Sequence, residues 1–156
     1  MTGAAEFEIE ALAAGSDVQG LADQARVLRP RVAVIADETR FDDLKSSLSG
    51  TGIEVAAGNA ALNEAAARPC DRVLAAIVGA AGLESTLSAI CAGNDVAIAN
   101  KESIVCGGPL MLEEARKSGA RILPVDSEHS AIFQSLGDGK SLERLTITAS
   151  GGPFRT

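Results

Sequence analysis

The 156 residues carry a formal net charge of −7 and are 46% hydrophobic but only 3% aromatic, without Trp or Tyr. The acidic balance excludes a general nucleic-acid binder, which needs a basic surface against phosphates, and the aliphatic bias directs a core toward layered α/β packing rather than an aromatic-rich β-sandwich. Cys70, Cys91 and Cys106 lack CxxC spacing and read, beside one histidine, as reduced thiols; no basic-then-apolar leader or run near ~18 apolar residues predicts secretion or membrane spanning, so the cytoplasm is the expected compartment.

The pattern alternates short β-rich runs with longer Ala- and Leu-rich helical ones. A strand is expected over 7–12, then Gly15-Ser16-Asp17, then a helix on Val18, Leu21, Ala22, Ala25 and Leu28 that Pro30 stops. The next strand, 32–36, is followed by Asp37-Glu38-Thr39 as a cap for a helix through about Leu48. A strand at 53–55 and a helix at 59–67 follow. Residues 72–78 are nearly all apolar, as in a strand buried on both faces, and Gly79-Ala80-Ala81-Gly82 turns them into a helix over 83–92.

Residues 96–99 form a further strand with Asn100-Lys101-Glu102 just beyond it, and a helix is expected over 109–117. Residues 121–125 lead into Asp126-Ser127-Glu128-His129 and a helix over 127–136. A polar connection at 137–141 precedes a last strand at 142–148 and Ala149-Ser150-Gly151-Gly152-Pro153. This βα period predicts a Rossmann-like, doubly wound parallel sheet over 1–125, followed over 126–156 by the start of an α+β domain.

In open parallel sheets, ligands bind beyond the carboxyl ends of the strands, where helix N-termini converge. The polar, non-periodic residues fall there. Asp126 and Glu128 offer hard oxygens to Mg2+ or Mn2+, or serve as an N-cap and a first-turn acid favoured by the helix dipole. Lys101 offers a compact charge to an anion, with Asn100 and Glu102 beside it able to hydrogen-bond a cofactor, or it is a solvated residue in a capping loop. Ser150 with Gly151-Gly152 forms either a phosphate-cradling loop or an ordinary tight turn. His129 reads as a local hydrogen-bonding residue, and Cys106 as an incidental thiol.

Four stretches together, Ala76 to Leu83, Ala99 to Ser103, Pro124 to Gln134 and Ala149 to Arg155, closely resemble the 1-deoxy-D-xylulose 5-phosphate reductoisomerase family. The resemblance implies an NADPH-binding domain, the start of a catalytic domain and a divalent metal at their junction. By it, Asp126 and Glu128 bind Mg2+ or Mn2+; Lys101, Ser127, Glu128 and Ser150 contact the phosphorylated sugar; and Gly15 and Asn100 contact NADPH, with Ser16, Asp17 and Glu102 beside it. Lys101, Asp126 and Glu128 are then the expected catalytic residues, in a full-length enzyme expected to be a homodimer.

The implied reaction isomerises 1-deoxy-D-xylulose 5-phosphate and reduces the product with NADPH to 2-C-methyl-D-erythritol 4-phosphate, toward isoprenoid precursors. There are departures. The family's first βα unit, with its glycine-rich phosphate turn, is expected to lie outside this chain, as are its later substrate contacts and its third acidic metal ligand. Ser16-Asp17 stands where many members carry a more basic or amide-rich pair beside the cofactor's 2′-phosphate. A competing reading is a catalytically inactive Rossmann-like fragment that retains cofactor or metal affinity; fold alone does not separate the two.

Overall fold

A computed structural model describes residues 7–136 and 143–146. Among these described residues six strands and six α-helices alternate: β1 (Ala11–Ala14), α1 (Val18–Leu28), β2 (Val32–Ile35), α2 (Phe41–Ser47), β3 (Glu54–Ala57), α3 (Gly58–Ala67), β4 (Val73–Ala75), α4 (Leu83–Cys91), β5 (Val96–Ile98), α5 (Lys101–Ser118), β6 (Ile122–Pro124) and α6 (Ser127–Leu136). Every strand pairing is parallel, as a chain that returns through a helix after each strand requires.

The side-chain alternation of β2 explains why it needs helices on both faces. All four of its residues are buried. Ala33 and Ile35 pack with Val18, Leu21, Ala22 and Ala25 of α1 and with Leu44 and Leu48, whereas Val32 and Val34 pack with Leu62 of α3. The α1 stripe at i, i+3, i+4 and i+7 is the helical counterpart of that period of two. Around β5, a second core joins Ala75, Ala89, Ile90, Val96, Ile98, Met111 and Ala115.

The parallel α/β class expected from the pattern is the class observed, but the strands hydrogen-bond as two sheets, β1-β2-β3 and β4-β5-β6. Among the described residues no ladder joins β1 to β4. Helix α3 makes the connection instead: it packs on the first sheet, its Ala66 reaches the second core, and it lies against α4. Buried Asn94 locks the joint, donating through Nδ2 to Ala66 O at 3.1 Å and Arg68 O at 2.9 Å while its Oδ1 accepts from Cys70 N at 3.3 Å. Burial also pushes the Cys70 thiol upward, as for an unreactive packed cysteine.

Several boundaries differ from those expected. The first strand begins at Ala11 rather than Phe7, and the fourth ends at Ala75, because Ala76 to Gly79 leave the ladder to form a turn. Helix α5 begins at Lys101 and runs through Pro109, where the sequence suggests a start. Asn100 caps the earlier N-terminus, and the lost proline donor is accommodated within the helix rather than ending it. Residues 143–146 form no strand, contrary to expectation, and the remainder of 142–148 lies outside the described residues. No helix among the described residues is long and apolar enough to cross a membrane.

The amino ends of the strands are clamped by charge. Arg68 reaches Glu54 at 2.7 Å and Glu10 at 3.4 Å, and Arg31 reaches Glu8 at 2.7 Å and Glu10 at 3.0 Å. In the second sheet Asp95 accepts from Arg121 N and Nε, each at 2.9 Å. The Arg121 side-chain hydrogen bond, with the backbone bond behind it, holds the Asp95 carboxyl below the ordinary aspartate value.

Two measurements test these supports. Leu44→Ala, at a fully buried site, should lower unfolding stability by about 2–5 kcal/mol in urea denaturation. Asp95, with its folded value depressed, contributes stability above its unfolded value near about 4 and loses it as pH falls through the folded one. Asp95→Asn should therefore flatten the acid side of a stability–pH curve; an unchanged slope would show that the ion pair contributes nothing to folding.

Candidate functional site

Beyond the carboxyl end of β1, Gly15 O accepts from Asp37 N at 3.0 Å, tying this rim to the end of β2. Ser16 is exposed. Asp17 ends the turn as the N-cap of α1, its Oδ1 accepting from Gly20 N at 2.9 Å. A side chain on Gly20 would meet the other Asp17 oxygen at 2.3 Å, so this cap would have to shift its carboxylate to accommodate one. The acid that departs from the family's pattern thus has a local structural use.

Across the rim, Asp37 accepts from Thr39 Oγ1 at 2.6 Å and Thr39 N at 3.0 Å, and these bonds, side chain first, hold its carboxyl below the ordinary value. A hollow of about 490 Å3 is lined by Ser16, Asp17, Gln19, Arg40, Ser46 and Ser47, among others. Arg40 pairs there with Asp43 at 3.1 Å. Sequence reading did not single out Arg40, because it sits one βα unit away from Asp17 with no motif linking the two.

The second sheet gathers the other candidates. Register places Ala75, Ile98 and Pro124 level with one another, and Val125 N donates to Ile98 O at 3.0 Å, so the segments following β4, β5 and β6 emerge side by side. Asn100 is buried and caps α5, accepting from Ser103 N at 3.1 Å, while Lys101 and Glu102 are exposed in the first turn. Ser103 Oγ is buried without a partner among the described residues.

At the start of α6, Asp126 accepts from His129 N at 3.0 Å, and His129 Nδ1 lies 2.8 Å and 2.9 Å from its two carboxylate oxygens. Burial pushes the Asp126 carboxyl up, but the backbone and ring hydrogen bonds of His129 more than offset it, leaving the group below the ordinary value. His129 is therefore the local hydrogen-bonding residue that the sequence suggests. Glu128 is also held below its ordinary value, by hydrogen bonds from Ser127 and its own backbone first and then by the Lys101 ammonium; Asp126 opposes the shift.

The register that sets the ends of β5 and β6 side by side brings the segment bearing Lys101 beside the one bearing the two carboxylates, Asp126 and Glu128, and the Lys101 ammonium is one of the smaller causes that lower Glu128. The hard oxygens of the two acids suit Mg2+ or Mn2+. Among the described residues no group of three or more His, Cys, Asp or Glu is gathered as a cage. Gly15, Ser16 and Asp17 lie on the rim of the other sheet, with no ladder joining the two. Ser150 lies outside the described residues.

Known proteins share both the sequence and the fold. A family model for 1-deoxy-D-xylulose 5-phosphate reductoisomerase matches residues 2–108, and one for that enzyme's C-terminal domain matches residues 122–156. The reductoisomerase of Rhodospirillum centenum is 60% identical over 152 residues, and that of Ruegeria pomeroyi 55% over 151; each alignment covers 96% of this chain and 38% of the relative. The chain thus spans under two fifths of the length of these relatives.

Among solved structures, the Zymomonas mobilis reductoisomerase in complex with NADPH superposes with a TM-score of 0.88 at 49% identity, covering 96% of this chain and 40% of that one. A reductoisomerase in complex with NADPH, fosmidomycin and magnesium gives a TM-score of 0.78 at 40% identity, covering 83% and 32%. With family models, sequence identity and fold similarity in agreement, the chain belongs to the 1-deoxy-D-xylulose 5-phosphate reductoisomerase family.

Proposed function

We propose that this chain forms part of an enzyme that isomerises 1-deoxy-D-xylulose 5-phosphate and reduces the product to 2-C-methyl-D-erythritol 4-phosphate. The observation that carries this reading is the parallel register of β5 and β6, which sets the segment after β5, with Lys101, beside the segment after β6, with Asp126, Ser127 and Glu128. It is supported by relatives named for the activity and by neighbours that hold NADPH and magnesium.

In this reading Asp126 and Glu128 hold the divalent ion, Ser127 and Glu128 hydrogen-bond substrate hydroxyls, and Lys101 balances negative charge on the sugar's oxygens as the skeleton rearranges. Ser150 adds a hydroxyl to the substrate pocket. Gly15, Ser16, Asp17, Asn100 and Glu102 belong to the cofactor side. When bound, the metal polarises adjacent substrate oxygens and NADPH supplies the hydride. The chain's own task is to keep two carboxylates ionised and one ammonium close, so that charge developing on oxygen meets a preorganised field. The family reading also assigns the full-length enzyme to the cytoplasm, as a homodimer.

The test is a graft: this chain in place of the matching segment of the Rhodospirillum centenum relative, assayed for NADPH oxidation and for methylerythritol phosphate. The folded graft should turn over and the 156-residue chain alone should not, because a misplacement of about 1 Å among reacting groups costs on the order of 100-fold. A folded graft without product would sink the reading.

Within the active graft, Asp126→Asn and Glu128→Gln should each weaken Mn2+ binding, read by electron paramagnetic resonance, and lower turnover while leaving the melting temperature nearly unchanged. If both variants keep wild-type metal affinity, the two acids serve only as cap and first-turn charge.

A further inference from the structure

Asn100 directs its whole amide inward. Its residue is only 4% exposed. Nδ2 donates to Ile77 O and, at 2.9 Å, to Gly79 O, while Oδ1 accepts from Ser103 N at 3.1 Å. An asparagine amide has two N–H donors, and both are spent on the turn after β4. The remaining oxygen function caps α5. Such a side chain has no donor left for a cofactor.

The turn is shaped to receive it. A Cβ on Gly82 would stand 2.8 Å from Ile77 O and 2.9 Å from Asn100 Nδ2, both closer than real contacts allow. Gly79 has φ of 74°, where side chains are strained. From the other side, Gly82 O accepts from Thr86 Oγ1 at 2.6 Å and Ser85 Oγ at 3.3 Å. The turn at 77–82 is therefore pinned between the first turn of α4 and the cap of α5, while Val78 at its tip stays 85% exposed.

We infer that Asn100 and Gly82 form one lock that fixes the exposed 77–82 turn against the N-terminus of α5, making Asn100 a positioning residue for the rim and for Lys101 rather than a side-chain contact to NADPH. The catalytic consequence rests on the proposed function; the lock itself does not. No other residue type at 100 serves the same three partners. Asp keeps the cap but turns negative oxygen toward two carbonyls, Ser caps without the two donors, and Gln is one methylene too long to reach all three in this geometry.

The experiment follows hydrogen exchange in the 156-residue chain by mass spectrometry, for wild type, N100S, N100A, G82A and N100A/G82A. N100S should raise exchange at Gly82, whose N–H donates to Gly79 O, at least tenfold while leaving the Ser103 amide protected, and N100A should expose both. G82A should reproduce the loosening of the turn, and the double variant should be no looser than the worse of its parents, since each change breaks the same contact. Additive effects, or wild-type protection of the turn in N100S, would overturn the lock.

A kinetic arm in the graft separates positioning from contact. N100S should lower kcat by about tenfold or more, with KM for NADPH changed less than about threefold. A rise in KM for NADPH with unchanged kcat would make Asn100 a direct cofactor contact and overturn the inference. A graft inactive even with Asn100 present, beside the expected exchange pattern, would defeat the proposed function and leave the lock standing.

Discussion

Parallel pairing obliges neighbouring strands to end on the same side, and the candidate chemistry depends on that constraint in β4-β5-β6. Three short strands in register bring residues far apart in the chain, Gly79, Asn100 and Asp126, to the mouth of one sheet. Each is followed by a helix whose N-terminal N–H groups face the same edge, so carboxylates and anionic ligands are favoured there. The central strand β5 is wholly buried, which makes the register costly to shift: a slip by one residue would turn Val96 and Ile98 away from their core.

The two ends of the sheets divide their labour. Arginines and acids at the amino ends, Arg31 and Arg68 with Glu8, Glu10 and Glu54, and Arg121 with Asp95, satisfy one another and hold strand edges together. These pairs are largely exposed, so most of the folding free energy comes from the aliphatic cores. At the carboxyl ends, Lys101 and Glu102 are exposed, and among the described residues the hydrogen bonds to Asp126 and Glu128 come from their own helix turn. That leaves charge available to a ligand without a rearranged core.

Asparagine serves twice in this chain as a connector, in different settings. Asn94 ties the end of α3 to the segment entering β4, and Asn100 ties the segment leaving β4 to the start of α5. Both are buried, and both bond backbone groups that the short strand cannot pair in a ladder. A three-residue strand is thus held at both ends by side-chain amides, which compensates for its few ladder bonds. The arrangement holds the turn at 77–82 at both ends while Val78 at its tip stays exposed.

The sequence by itself determined the alternation of strands and helices, the parallel α/β class and the family. Apolar period and cap residues are local properties, visible in Val32 to Ile35 or in the stripe from Val18 to Ala25, and four ordered motifs are matched one residue at a time. It also located Asn100, Lys101, Asp126, Ser127 and Glu128 just past strand ends. What it left open was whether Asp126 is a cap or a ligand, and the tertiary structure shows it capping α6 through His129 while lying in the same field as Glu128 and Lys101. Only the fold decided that β1 and β4 do not pair, that α5 runs through Pro109, and that Gly82 lies under Asn100. Each of these depends on the approach of segments remote in sequence, where a distance of a few ångströms determines which partner a polar atom meets, and no local spacing encodes that distance.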